Sequence, residues 1–170
     1  TKEREVIPQR VETVLNTTGM WQSTRESLVV NVGRQQSYPL LIDLVTAGPH
    51  AVITGMTGSG KTEFLKSWLV ALAASYSPDE LSFLIIDFKG GAGFSQLTGL
   101  AHVVGMVTDL DNAEAHRALT SLHAEIRYRE RVLAQCGAGD IAALGEGIQL
   151  GRLIVVVDEY RAVLEAFPEL

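Results

Sequence analysis

The chain has 170 residues, 46% hydrophobic and 20% charged, with a formal net charge of −6. That is enough chain for one domain with a buried core, and the composition excludes an intrinsically disordered protein. The acidic balance supplies no general attraction for nucleic acid, and the single cysteine, Cys136, excludes an intrachain disulfide and fits a reducing compartment. No apolar run approaches the roughly 20 residues that a membrane-spanning helix needs, and no signal peptide is visible. The sequence starts at Thr1 rather than Met and stops soon after a motif that normally sits mid-domain, so it reads as a piece of a longer protein.

Residues 1–20 are polar and mixed, with Pro8 and an Asn16-Thr17-Thr18-Gly19 turn signal, and read as a linker. Leu28-Val29-Val30-Asn31-Val32 and Leu40-Leu41-Ile42-Asp43-Leu44 predict two short strands, with residues 33–39 as the turn-like link. Ala51-Val52-Ile53-Thr54 predicts a strand entering a glycine-rich loop. Residues 63–75 then form a helix, with Phe64, Leu65, Trp68, Leu69, Leu72 and Ala73 at helical spacing. Strands follow over residues 81–87 and 103–107, separated by the loop Gly90-Gly91-Ala92-Gly93. Residues 111–135 predict the longest helix, opened by an Asp111/Glu114 capping box and closed at Cys136-Gly137-Ala138-Gly139. Leu119, Leu122, Ile126 and Leu133 line its expected buried face, and Arg127, Arg129 and Arg131 its solvated side. Leu153-Ile154-Val155-Val156-Val157-Asp158 is a continuous apolar run, the pattern of a central parallel strand covered on both faces. Helices alternating with strands through short links make an α/β domain with a mostly parallel sheet.

Gly55-Met56-Thr57-Gly58-Ser59-Gly60-Lys61-Thr62 matches G-x-x-x-x-G-K-[ST] at every fixed position, between a predicted strand and a predicted helix. Glycines let backbone N–H groups converge on phosphate oxygens, and the helix N-terminus adds its positive end. Lys61 is placed to reach the β- and γ-phosphates, and the Thr62 hydroxyl to bind Mg²⁺. Downstream, the apolar strand ends in Asp158-Glu159. An acid at a strand's C-terminal end faces the ligand crevice of an open α/β sheet. Asp158 then holds the Mg²⁺ shell, and Glu159 acts as the general base toward water. Such a pair on its own is ordinary strand-end chemistry; after a full phosphate loop it points to an ATP hydrolase.

Other polar residues carry two readings each. Asp87 and Lys89 either reach the same crevice or are, respectively, a cap and a solvated cation. Thr108 and Asp109 end a strand and either face the same edge or, for Asp109, serve the turn into the long helix. His50 is either near the adenine or a plain loop histidine. His102, His116 and His123 have no metal-ligand spacing.

Taken in order, Pro49-His50, the phosphate loop with Glu63, Asp87-Phe88-Lys89-Gly90-Gly91, residues 105–109 and Val157-Asp158-Glu159-Tyr160 resemble the FtsK/SpoIIIE ATPases. Within them, Glu63, the Lys-Gly-Gly loop, Val107-Thr108-Asp109-Leu110 and Arg127-Tyr128-Arg129-Glu130-Arg131 are most similar to the type VII secretion (EccC/EssC) branch. The likeness spans residues 20–170. It implies a RecA-like P-loop NTPase core of the additional-strand type, with helices on both faces of the sheet, cut short after the Asp-Glu strand. Residues 1–20 would be linker, 21–48 strands leading in, and 49–170 the ATPase core. Gly55, Met56, Thr57, Gly58, Ser59, Gly60, Lys61, Thr62 and Glu63 would hold ATP, Thr62 and Asp158 the Mg²⁺, and Lys61 and Glu159 would be catalytic. The implied parent is a hexameric motor anchored at the cytoplasmic side of the bacterial membrane, exporting small helical proteins. The alternatives are duplex DNA as cargo, or a regulatory ring domain with little turnover. Tyr160 stands where the family favours Phe. The sensor and arginine finger of the family cannot be assigned; Arg117, Arg127, Arg129, Arg131 and Arg161 qualify by charge alone, so turnover by this chain in isolation is expected to be poor.

Overall fold

The computed structural model describes residues 21, 26–87, 93–108, 113–145 and 147–166. The expected linker over 1–20, Lys89 with Gly90, Gly91 and Ala92 of its loop, Asp109 and the Asp111 cap lie outside the described residues. The chain divides between Leu81 and Ser82 into two compact units.

The first unit opens with a hairpin of β1 (Val29–Gln35) and antiparallel β2 (Tyr38–Asp43). The connection is tighter than the sequence suggested. Gln35 pairs with Tyr38, so only Gln36 and Ser37 turn, with Gln36 at φ 57. Gly33 and Pro39 lie within the strands. Pro39 is tolerated there because a two-stranded hairpin consists of edge strands, which can spare one donor. A bulge between Asn31 and Gly33 absorbs the extra residue Val32, and Asn31 Oδ1 accepts the Gly33 N–H at 3.1 Å. Asp43 latches the open end. Its Oδ1 accepts the N–H groups of Leu28 (2.9 Å) and Val45 (2.8 Å), and its Oδ2 accepts the Thr46 hydroxyl (2.8 Å).

Helix α1 (Lys61–Ser75) buries Trp68, Leu69, Leu72 and Ala73 and packs on β1. Tyr76, fully buried just beyond it, ties helix to hairpin. Its hydroxyl accepts the Val29 N–H at 2.7 Å and donates to the Val29 carbonyl at 3.0 Å. Burial pushes the phenol's pKa above its usual value, with the nearby Asp43 charge acting in the same direction. Residues 51–54 do not form the expected strand. They have no ladder partner within this unit, and Val52 is 86% exposed.

The second unit is built on a three-stranded sheet in the order β4-β3-β5. Here β3 is Leu81–Asp87, β4 is Val103–Val107, parallel to it, and β5 is Arg152–Asp158. β3 is the central strand and is buried along most of its length. This corrects the expectation for β5, which forms one side of the described sheet and leaves Val155 39% exposed. Ile86, Val107, Ala115 and Val163 form a buried cluster joining the sheet to helices α2 (Ala113–Gln135) and α3 (Tyr160–Ala166). Phe83 stacks on the buried His102, whose carbonyl accepts the Phe83 N–H at 2.7 Å.

The long helix departs from its expected faces at two residues. Ile126 is 45% exposed, while Arg129 is half-buried: its Nε pairs with Glu125 and its guanidinium donates to the Gly151 carbonyl, just before β5. A long side chain can lie along an apolar surface and still bring its charge to a carbonyl. The helix ends in a Schellman turn, as expected at Cys136-Gly137. Gly137 sits at φ 62, Ala138 N–H reaches Leu133 O at 2.9 Å, and Gly137 N–H reaches Ala134 O at 3.1 Å.

Candidate functional site

The phosphate loop of the first unit closes around its own lysine. Ser59 N–H donates to the Met56 carbonyl at 3.1 Å, making a tight turn. Lys61 folds back over that turn, and its Nζ donates to Gly55 O at 2.7 Å and to Met56 O at 2.9 Å. Gly55 keeps this turn open: a Cβ there would stand 2.6 Å from Ser59 Oγ, which would have to rotate away, and at contact distance, 3.4 Å, from Lys61 Cγ. Gly60, at φ 89 and ψ 15, turns the chain into α1, and its carbonyl accepts the first helical N–H, from Phe64, at 2.9 Å. The helix therefore begins at Lys61, inside the motif. Its first-turn N–H groups have no carbonyl partners within the helix, and the positive end of its dipole lies at the loop. Backbone donors, a lysine and a helix N-terminus in one short segment make anion-binding chemistry, and a polyphosphate fits it.

Along that segment, Met56, Thr57, Gly58 and Ser59 are exposed, whereas Lys61 and Thr62 are half-buried. Glu63 projects into solvent from the first turn and pairs with Lys66 at 2.6 Å, so its carboxylate is engaged along the helix. His50 is exposed ahead of the loop.

The acidic pair sits in the second unit, where β5 ends. Asp158 is the last residue of the strand, and Glu159 links it to α3. Asp158 Oδ1 accepts the Glu159 N–H at 3.0 Å, and the Glu159 carbonyl accepts from Ala162 N–H at 2.8 Å. Glu159 adopts φ 57, so strand and helix meet at a left-handed elbow with its side chain exposed. Neither the elbow nor α3 has a sequence signal that the strand pattern could have supplied. Asp87 ends the neighbouring strand β3 and is buried, with 1% exposure; Thr108, just after β4, is exposed. Arg161 is committed along α3 to Glu165 at 2.8 Å.

Thr62, in the first unit, and Asp158, in the second, each carry a hard oxygen donor of the kind magnesium takes. Among the described residues, no group of three or more His, Cys, Asp or Glu side chains gathers to hold a metal.

Comparison with known proteins agrees with this chemistry. The sequence model of the FtsK/SpoIIIE family matches residues 10–163. The type VII secretion system protein EssC of Staphylococcus aureus is 38% identical over 129 residues, covering 72% of this chain and 9% of EssC. The ESX secretion system protein EccC of Thermomonospora curvata is 37% identical over 134 residues, covering 72% of this chain and 10% of EccC. The chain thus spans about a tenth of the length of these relatives. Among solved structures, the cytoplasmic domain of the Thermomonospora curvata type VII secretion ATPase EccC superposes with a TM-score of 0.75 at 32% identity, covering 88% of this chain and 19% of that one. A second structure of that EccC, ATPases 2 and 3 in complex with a signal sequence peptide, gives 0.68 at 25% identity, covering 88% and 29%. The pCW3 conjugation coupling protein TcpA with ATPγS gives 0.65 at 28% identity, covering 85% and 38%. The fold is the α/β P-loop ATPase core with a parallel sheet.

Proposed function

Because the chain belongs to the FtsK/SpoIIIE family, we propose that it is the Mg-ATP-binding and hydrolysing module of a larger, membrane-associated translocase that drives type VII protein secretion. The loop over residues 55–62, with Lys61 folded onto it and α1 opening from it, is the observation that carries this reading. Similarity to EssC and EccC supports secretion as the task.

Each residue has a role that follows from its chemistry. Lys61 exchanges the Gly55 and Met56 carbonyls for β- and γ-phosphate oxygens, while loop and first-turn N–H groups hold the rest of the phosphate chain. The Thr62 hydroxyl and the Asp158 carboxylate hold Mg²⁺, which when bound neutralises charge on the phosphates. Glu159 orients the attacking water and takes its proton. Glu63 must leave Lys66 to contribute to the nucleotide. Self-association as a hexamer would supply from a neighbouring copy the arginine that phosphoryl transfer uses.

Cargo is tested in the parent protein. Adding the C-terminal signal peptide of a secreted substrate is expected to raise the ATPase rate, and Glu159→Gln to cut it by about 10²–10⁴ while ATP still binds. No response to any such peptide would contradict a secretion motor. A second reading, a DNA translocase module, is favoured by the likeness to a conjugation coupling protein. It predicts stimulation by duplex DNA, with binding that weakens steeply as salt is raised.

A further inference from the structure

Glu159 has a backbone that its residue type does not favour. Positive φ is uncommon outside glycine, and asparagine, aspartate and histidine tolerate it better than other side chains. Among the described residues, the other such position is Gln36, where a two-residue hairpin turn calls for it. At the end of β5 no hairpin imposes the conformation. Instead the backbone is pinned from both sides. The N–H of Glu159 is held by Asp158 Oδ1 at 3.0 Å. Its carbonyl accepts from Ala162 N–H at 2.8 Å and Val163 N–H at 3.4 Å, and Val163 is anchored in the buried cluster with Ile86, Val107 and Ala115. A glycine would make the same elbow with less strain.

We infer that Asp158 is a positioning residue for Glu159: its carboxylate fixes the left-handed elbow that carries the Glu159 side chain out from the strand end. The functional meaning of that aim rests on Glu159 being the general base. The elbow itself does not. Asp158 therefore has a task that precedes any cation, and the strain at Glu159 is the cost of presenting a carboxylate at this point.

The test uses the 170-residue chain without metal or nucleotide. Two variants report on strain: Glu159→Gly should unfold about 2–4 °C above Glu159→Ala, since only glycine relieves a positive φ. Two more report on the pin, through hydrogen exchange of the residue-159 amide. Exchange should stay slow in Asp158→Asn, which keeps an oxygen acceptor, and accelerate about tenfold or more in Asp158→Ala. Equal melting temperatures for the glycine and alanine variants, or exchange unchanged in Asp158→Ala, would overturn the inference. Neither readout depends on hydrolysis, so a parent protein that proved unable to turn over ATP would count against the proposed function and leave this result standing.

Discussion

At the loop, Lys61 satisfies its charge on two carbonyls that belong to the same eight-residue motif. The positions around it are correspondingly intolerant. Replacing Gly60 with alanine puts a Cβ on a residue at φ 89, which costs about 1–2 kcal/mol and disturbs the start of α1. Chemical denaturation of Gly60→Ala should show that loss, together with weakened nucleotide binding. Trp68 makes the opposite case. Its indole N–H is buried with no hydrogen-bond partner among the described residues. Trp68→Phe removes that unsatisfied donor along with some packing, so the change should stay within about 1 kcal/mol, against about 3–5 kcal/mol for Trp68→Ala. If Trp68→Phe proves as damaging as Trp68→Ala in the same denaturation experiment, the N–H has an acceptor after all. The phosphate loop was legible in the sequence because its chemistry dictates residue type position by position. The conformation of Glu159 was not, since any strand ending in two acids reads alike, and the bend depends on the Asp158 hydrogen bond and the returning helix α3.

Among the elements, the hairpin depends on one carboxylate. Burial alone would raise the pKa of Asp43, but hydrogen bonds from Leu28 N–H, Val45 N–H and Thr46 together hold it below its ordinary 3.8. A depressed carboxylate pKa adds stability above the unfolded value, and that stability is lost as pH falls through the folded value. Acid unfolding should therefore show a loss that begins below about pH 4 in the wild type and is reduced in Asp43→Asn. At pH 7, Asp43→Ala should cost about 1–3 kcal/mol by leaving backbone donors unsatisfied, measured by urea unfolding. The boundaries of β3 and β4, and the end of α2 at the Gly137 turn, were readable from apolar runs and a C-cap glycine. The strand expected at 51–54 was not realised, because periodicity reports a strand's preference and not its partner. For the same reason the apolar run of β5 did not reveal that β3 holds the centre of the described sheet.

On the scale of the molecule, the FtsK/SpoIIIE assignment rests on motifs spread through both units, and they carry different shares of the proposed reaction. In that proposal the first unit would contribute phosphate binding through residues 55–62, and the second the acids at 158 and 159. No helix among the described residues is long and apolar enough to cross a membrane. Of the shares, phosphate binding can be tested in this chain alone. Calorimetric titration of Mg-ATP into the 170-residue protein and into Lys61→Ala, with GTP as competitor, is the most direct measurement. Saturable ATP binding that GTP displaces poorly and that Lys61→Ala loses is the predicted result. Binding of equal strength to both proteins, or no heat with either, would contradict the claim that residues 55–62 form an ATP site.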